Sequence, residues 1–215
     1  MPERRSASAS RRMTSDDPAV RPVRLPPPDL AGRKIPRTSQ SRWSWFRVHQ
    51  TKFPAKFFSL NSNHRFSHPK CPYPFLYLAT DTATCLFERF GDGMYNRNLV
   101  IPRSIWEAHS VSSFEVPKFH VCDLTSARTL SALMVDLSAL MNNQLKTPQE
   151  WGLAVQNHPA DFQGIKLKSR FNHKSCLALF GRDDVEERIS ATLIGSLSTN
   201  DSAGDWLHDH RVSLY

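Results

Sequence analysis

Cysteine is sparse in this chain, and its cysteines do not stand in the spacing of a redox or zinc motif. The four residues at positions 71, 85, 122 and 176 contain no C-x-x-C pair, so the chain is not a small disulfide scaffold and reduced thiols are expected. The glycine patterns of Rossmann and P-loop proteins are missing. No serine lies in a G-x-S-x-G elbow, which leaves a serine-hydrolase triad without support.

Long apolar runs are missing as well. No stretch approaches the roughly 18 residues that a helix needs to cross a bilayer, and the N-terminal region lacks the apolar core of a secretory signal. We therefore expect a cytoplasmic protein with no membrane partner.

Positive charge is concentrated at one end of the chain. The formal net charge is +8, of which residues 1–45 carry +6 and the other 170 residues carry +2. Residues 1–42 are rich in Pro, Ser and Arg, and we predict a disordered basic arm there. Such an arm attracts nucleic acid, but it has no aromatic residue before Trp43 on which a base could stack. A solvated leader is the preferred interpretation, and a non-catalytic nucleic-acid-binding protein is kept as an alternative.

The rest of the chain, residues 43–215, predicts one compact α+β domain with a central mixed sheet flanked by helices. A helix at 80–90 is expected to end at Gly91, and apolar residues at three- and four-residue spacing predict a long helix at 126–146. A capping box at 147–150 opens another helix, and 185–194 is either helix or strand. The predicted strands are 45–49, 57–60, 75–79, 99–101, 116–121, 164–168 and 176–180.

Four polar side chains could carry chemistry, although each has a structural explanation. Glu88 lies on a helical turn with apolar neighbours, where a carboxylate needs a partner or a task. Arg65 lies in a polar loop that could present its guanidinium to a diphosphate. Tyr77 lies in a buried strand and Ser169 at the end of another. Judged one at a time, a solvated glutamate, a surface arginine, a packed tyrosine and a turn serine are the better interpretations.

Histidines offer a competing hypothesis. His64, His68 and Cys71 have a metal-like spacing, but a closed zinc site requires a fourth ligand and none is evident. His208 and His210 are expected in a solvated tail. We therefore expect no metal.

Taken together, the candidate residues occur in the order of the motifs of the RES-domain family, which is named for its Arg, Glu and Ser. The chain resembles that family over residues 45–181. The family's paired glycines before the arginine are Asn63 and His64 here, and the aromatic residue that usually stands between its isoleucine and its serine is Leu167. The matching segments are F-R-V at 46–48, H-R-F at 64–66, L-Y-L-A at 76–79, T-C-L-F-E at 84–88, G-I-K-L-K-S-R at 164–170 and L-A-L-F at 177–180.

The resemblance implies an ADP-ribosyltransferase-like fold that uses NAD+ as its substrate. It implies Glu88, Arg65 and Ser169 as catalytic residues, with Arg65, Tyr77, Arg47 and Ser169 in contact with NAD+. The implied activity is that of a toxin-like NAD+ glycohydrolase, which cleaves the nicotinamide–ribose bond and depletes cellular NAD. A mono-ADP-ribosyltransferase acting on a protein is the alternative. Implied partners are a helix-turn-helix antitoxin or an immunity protein, and a homodimer is left open.

Overall fold

The computed structural model describes residues 25–40, 42–95, 100–141 and 144–215. In these ranges ten strands form: β1 (Thr38–Gln40), β2 (Ser44–Gln50), β3 (Phe75–Ala79), β4 (Val100–Ile101), β5 (His109–Glu115), β6 (Phe119–Asp123), β7 (Gly164–Lys168), β8 (Ser175–Phe180), β9 (Ser190–Ser196) and β10 (Ser213–Leu214). The helices there are α1 (Thr82–Tyr95), α2 (Arg103–Glu107), α3 (Ala127–Leu133), α4 (Leu137–Met141), α5 (Lys146–Gln156), α6 (Asp183–Glu186) and α7 (Asp201–Asp209).

A mixed sheet forms the centre of the domain. Its strand order is β1-β6-β7-β8-β3-β2-β5-β9, and β4 and β10 form a separate two-stranded sheet. In the large sheet β6 and β7 run parallel, whereas β3 pairs antiparallel with both β2 and β8. This arrangement confirms the predicted α+β fold class, with a central mixed sheet flanked by helices.

Strand β3 is buried on both faces, as its almost continuous apolar sequence predicts. Leu76 and Leu78 pack with Trp45 on one face. Phe75 packs on the other face, where its ring meets that of the cross-strand residue Phe180 edge-on at 5.4 Å. Because successive side chains of a strand point to opposite faces, β3 links two hydrophobic clusters and forms a rigid floor for the domain.

Strands β2 and β3 separate soon after they meet. Within the described chain their ladder consists of one register position, Phe46 opposite Ala79. Beyond it the segment 51–60 crosses between them and makes an isolated bridge from Ser59 to Phe75. The divergence opens a cleft in the middle of the sheet.

The ordered domain begins earlier than residue 43. Leu30 and Ile35 are each 4 % exposed, and β1 pairs antiparallel with β6. The backbone oxygens of Leu30 and Arg33 lie within 3.2 Å of Nε2 of buried His158. The prediction of a disordered arm is therefore wrong for residues 25–40. Two apolar side chains and an edge strand are enough to order this segment, because the domain provides the surface against which they pack. The predicted arm residues 1–24 lie outside the described residues.

Two helix predictions need correction. Asp81 accepts a hydrogen bond from the Thr84 amide at 2.8 Å and so caps α1, but the helix passes through Gly91 and ends at Tyr95. The predicted helix 126–146 is broken where Met134 adopts a left-handed φ of 54°. Its apolar periodicity continues across the break, which is why the pattern predicts one helix.

Several shorter elements also differ from the prediction. Segment 57–60 is a loop with one bridge, and the connection between β5 and β6 falls within 116–121. Segment 185–194 contains the end of α6 and part of β9. Helix α7 was not predicted, and His210 in the supposed tail stacks on Trp206 at 5.4 Å.

The packing of α5 leads to a prediction about stability. A Cβ atom at Gly152 would lie 2.1 Å from the backbone oxygen of Phe66, whereas a Cβ at Gly204 in α7 would meet nothing within 4 Å. We expect Gly152→Ala to lower the free energy of unfolding by about 1–3 kcal/mol because backbone must move. The matched variant Gly204→Ala should raise it by about 0.5–1 kcal/mol. Urea unfolding of both variants measures the difference, and equal stabilities would contradict this packing.

Candidate active site

A cavity of about 1090 Å³ occupies the cleft between β2 and β3. Apolar strand residues form its floor, and charged side chains line its walls. The charged lining residues are Arg47, Arg65, Glu88, Arg89, Asp92 and Arg170. Four guanidinium groups therefore face two carboxylates, which gives the cavity a positive balance that suits an anionic ligand.

Glu88 and Ser169 are in direct contact although 81 residues separate them. Helix α1 places Glu88 on the cavity wall, and the turn after β7 places Ser169 behind it, where the serine is 1 % exposed. The Ser169 hydroxyl donates to Oε1 of Glu88 at 2.6 Å and accepts from the Phe171 amide at 3.2 Å. A short bond to a carboxylate is among the stronger hydrogen bonds in proteins, so Glu88 is held in one orientation.

Tyr77 supports the loop that carries Arg65. Its hydroxyl oxygen accepts from the Phe66 amide at 3.1 Å, and its ring lies 5.4 Å from the ring of His64. Arg65 in turn donates from Nη1 to the Leu140 carbonyl of α4 at 2.6 Å. The loop is thus held by β3 through the Tyr77 hydroxyl and by α4 through the Leu140 carbonyl.

The loop forms without the glycines that precede the arginine in the family pattern. Neither Asn63 nor His64 has a positive φ. The side chain of Asn61 accepts from the Asn63 amide at 3.0 Å, which is a local turn typical of asparagine, and Gln149 of α5 donates to the Ser62 carbonyl at 2.5 Å. Local hydrogen bonds thus fix a backbone that any residue can adopt.

Arg47 reaches across the cleft to the loop that closes it. Its Nη1 donates to the Ala55 carbonyl at 2.5 Å and to the Phe57 carbonyl at 3.0 Å. Burial lowers the pKa of Arg47 to about 10. The side chain therefore ties β2 to the segment 51–60 through carbonyl groups rather than through an ion pair.

Two arginines at the cavity were not among the predicted site residues. Arg170 forms an ion pair with Asp92, and its guanidinium lies 4.7 Å from the centre of the Phe171 ring. Arg89 donates from Nε to Nε2 of His109 at 3.0 Å. Arg89 directly follows Glu88 in the sequence, and Arg170 is the last residue of the matching segment at 164–170. These positions are the signals that could have identified them.

Like charges crowd the cavity. Burial lowers the pKa of His64, and Arg47 and Arg89 lower it further. Burial also lowers the pKa of Arg65, with a further contribution from Arg170 that Glu88 opposes. Anion binding would relieve this repulsion.

The residues with the metal-like spacing have other contacts in the structure. No group of three potential His, Cys, Asp or Glu ligands occurs among the residues described. His68 instead accepts from the Lys70 amide at 3.1 Å, and burial raises the pKa of Cys71 to about 11. All four cysteines are buried free thiols. Among the helices of the described residues, none is both long enough and apolar enough to span a membrane.

Comparisons with known proteins identify the family and the fold of this chain. The RES domain family model matches residues 35–199. The chain belongs to the RES-domain family. No curated protein sequence matches the chain. A crystal structure of the M. tuberculosis MbcT–MbcA toxin–antitoxin complex matches this RES-domain chain with a TM-score of 0.58 and 14 % identity, over 81 % of this chain and 92 % of that chain. At that identity the match shows a shared fold.

The buried hydroxyl of Tyr77 leads to a prediction about alkaline stability. Burial raises the pKa of Tyr77 to about 12, whereas an unfolded tyrosine ionises near pH 10. Between about pH 10 and pH 12 the unfolded state loses this proton and the folded state keeps it. Stability therefore falls as pH rises, by up to about 1.4 kcal/mol per pH unit.

Tyr77→Phe should remove this contribution to the slope. At pH 9 the variant should be less stable than wild type by about 1 kcal/mol, because the Phe66 amide loses its acceptor, and the difference should shrink at pH 11. Urea unfolding at both pH values measures it, with Tyr73→Phe, at an exposed position, as control. Parallel pH curves for wild type and Tyr77→Phe would contradict the assignment.

Proposed function

We propose that this RES-domain protein is a toxin-like NAD+ glycohydrolase that hydrolyses the nicotinamide–ribose bond of NAD+. The observation that carries the proposal is the hydrogen bond of 2.6 Å from buried Ser169 to Glu88, on the wall of a cavity with an excess of arginine. Membership of the RES-domain family supports it. The contents of the site match the needs of the reaction, which are a fixed carboxylate and cationic groups for a diphosphate.

The reaction requires little acid catalysis because the leaving group is a cationic pyridinium. The bond between ribose C1′ and the nicotinamide nitrogen breaks, and its electron pair leaves with neutral nicotinamide. The positive charge that develops on the ribose is stabilised by the carboxylate of Glu88. A water oxygen then bonds to C1′ and releases one proton, which gives ADP-ribose.

Ser169 has a positioning role in this proposal. Its hydroxyl proton is committed to Oε1 of Glu88, and among the described residues no group donates to Oε2. That second oxygen is available for the ribose or the attacking water. Ser169 therefore acts on the substrate through Glu88.

The other predicted residues bind the dinucleotide. Arg65 stands on the cavity wall with a fixed loop behind it, and its charge is assigned to the pyrophosphate. Tyr77 shapes the pocket for nicotinamide and its ribose while it anchors that loop. Arg47 on β2 adds positive charge to the cavity, and its hydrogen bonds also hold the segment 51–60 in place.

The structural neighbour MbcT–MbcA is a toxin–antitoxin complex. By analogy we propose that this chain depletes NAD in the cell and is held inactive by a protein antitoxin with a helix-turn-helix domain. Co-expression with a cognate antitoxin should then restore both growth and cellular NAD+, and restored growth with NAD+ still depleted would contradict the proposal.

The decisive experiment is incubation of purified protein with NAD+. Wild type should release nicotinamide and free ADP-ribose in equal amounts, as measured by chromatography. Glu88→Gln should lower kcat by about 10²- to 10³-fold because the charge that stabilises the transition state is lost. Glu187→Gln, an exposed position, should retain full activity.

The same assay discriminates between the proposed hydrolase and its alternative. With NAD+ labelled in the adenosine portion, label that accumulates on a protein instead of in free ADP-ribose would favour a mono-ADP-ribosyltransferase. Undiminished NAD+, under conditions where a known NAD-cleaving enzyme works, would contradict both activities.

A further inference from the structure

Arg89 is fixed differently from the other arginines of the cavity. It follows Glu88 on α1 and lines the same wall. Its Nε donates to His109 at 3.0 Å, and its guanidinium lies 5.5 Å from the centre of the Phe90 ring. Both contacts limit the rotation of the guanidinium.

The partner of Arg89 is a neutral base. His109 lies on β5 and is 1 % exposed. Its Nδ1 is 2.6 Å from the Ile105 carbonyl. A carbonyl can only accept, so Nδ1 carries the proton and Nε2 is the acceptor that Arg89 requires. Burial, opposed by the Ile105 carbonyl and reinforced by Arg89, lowers the pKa of His109. His109 therefore orients Arg89 without neutralising its charge.

Both terminal amino groups of Arg89 are available to a ligand. Arg47 and Arg65 each commit an Nη group to backbone carbonyls, and Arg170 commits one to Asp92. Among the residues that the structure describes, no acceptor forms a hydrogen bond with Nη1 or Nη2 of Arg89. An oriented guanidinium that presents two amino groups matches the geometry of phosphate oxygens.

The charge of Arg89 also reaches the opposite side of the cavity. Burial lowers the pKa of His64, which stands in the loop beside Arg65, and the charges of Arg47 and Arg89 lower it further. The positive groups of α1, β2 and this loop thus converge on one space. A ligand that brings phosphate charge into that space would offset their mutual repulsion.

We propose that Arg89, oriented by His109, is a phosphate-binding residue of this cavity. The inference rests on the proposed function for the identity of its ligand, a phosphate of a nicotinamide dinucleotide. The recognised chemistry is shared by the bridging pyrophosphate of NAD+ and by the additional ribose 2′-phosphate of NADP+. Arg89 thereby belongs to substrate binding, and His109 is its positioning residue.

The test is calorimetric titration with ADP-ribose and with ADP-ribose 2′-phosphate, neither of which contains the bond that is cleaved. Arg89→Gln should bind at least one of them about 10- to 100-fold more weakly than wild type, as expected for the loss of a charged hydrogen bond. Equal losses for both ligands identify the pyrophosphate, and a loss confined to the second identifies the 2′-phosphate. Lys52→Gln, which changes a lysine stacked on Phe53, should bind like wild type.

Variants of His109 test the positioning role. His109→Gln retains an acceptor for Arg89, whereas His109→Leu does not, so affinity for ADP-ribose should be higher in the Gln variant. Thermal unfolding shows whether each variant is folded, and the Arg89→Gln titration decides the proposal if His109→Leu does not fold. In activity assays Arg89→Gln should raise KM for NAD+ with little change in kcat.

Two outcomes would overturn the assignment. One is unchanged affinity of Arg89→Gln for both ligands, and the other is no binding of either ligand to wild type. If wild type binds ADP-ribose through Arg89 but does not cleave NAD+, the phosphate site stands and the proposed reaction fails.

Discussion

The site is organised around the contact between the Ser169 hydroxyl and the Glu88 carboxylate. It joins α1, which packs against β2 and β3, to the turn between β7 and β8. That turn is itself fixed, because the Ser169 amide donates to the Lys174 carbonyl at 2.8 Å and the His173 amide donates to the Ser169 carbonyl at 3.0 Å. A glutamate on a helix has considerable rotamer freedom, and a buried donor at a fixed place removes it.

The divergence of β2 and β3 makes room for a ligand beside that carboxylate. Arg47 donates two hydrogen bonds to carbonyl groups of the segment 51–60 and so connects β2 to that segment. Gly152 allows α5 to approach the Arg65 loop, and Tyr77 holds the same loop from the sheet. Packing on several sides therefore determines where Arg65 stands, and no special backbone conformation is required.

Segments in which one physical signal dominates are predictable from the sequence. The strand at 75–79 and the strand at 164–168 were predicted with the observed bounds, because short apolar runs flanked by turn residues permit little else. The order of the motifs brought Arg65, Glu88 and Ser169 together as a hypothesis, and the structure places all three at one cavity, with Ser169 behind Glu88. Their catalytic roles remain predictions.

Other features could not be derived from local sequence. The Pro- and Arg-rich sequence around Ile35 predicts disorder. In the structure Ile35 is nevertheless buried, because it packs against elements that are distant in the sequence. The role of Arg89 is not evident from the neighbouring sequence, because its partner, His109, lies 20 residues away on a strand. In both cases the decisive contact joins residues that are distant in the sequence, and neither composition nor periodicity can reveal such a contact.

The central claim is that Ser169 contributes to the reaction through Glu88. A double-mutant cycle on kcat for NAD+ cleavage, with Ser169→Ala, Glu88→Gln and the double variant, tests it most directly. The account predicts that Ser169→Ala slows wild type about tenfold or more but has little further effect once Glu88 is Gln. Independent effects that multiply in the double variant would contradict it.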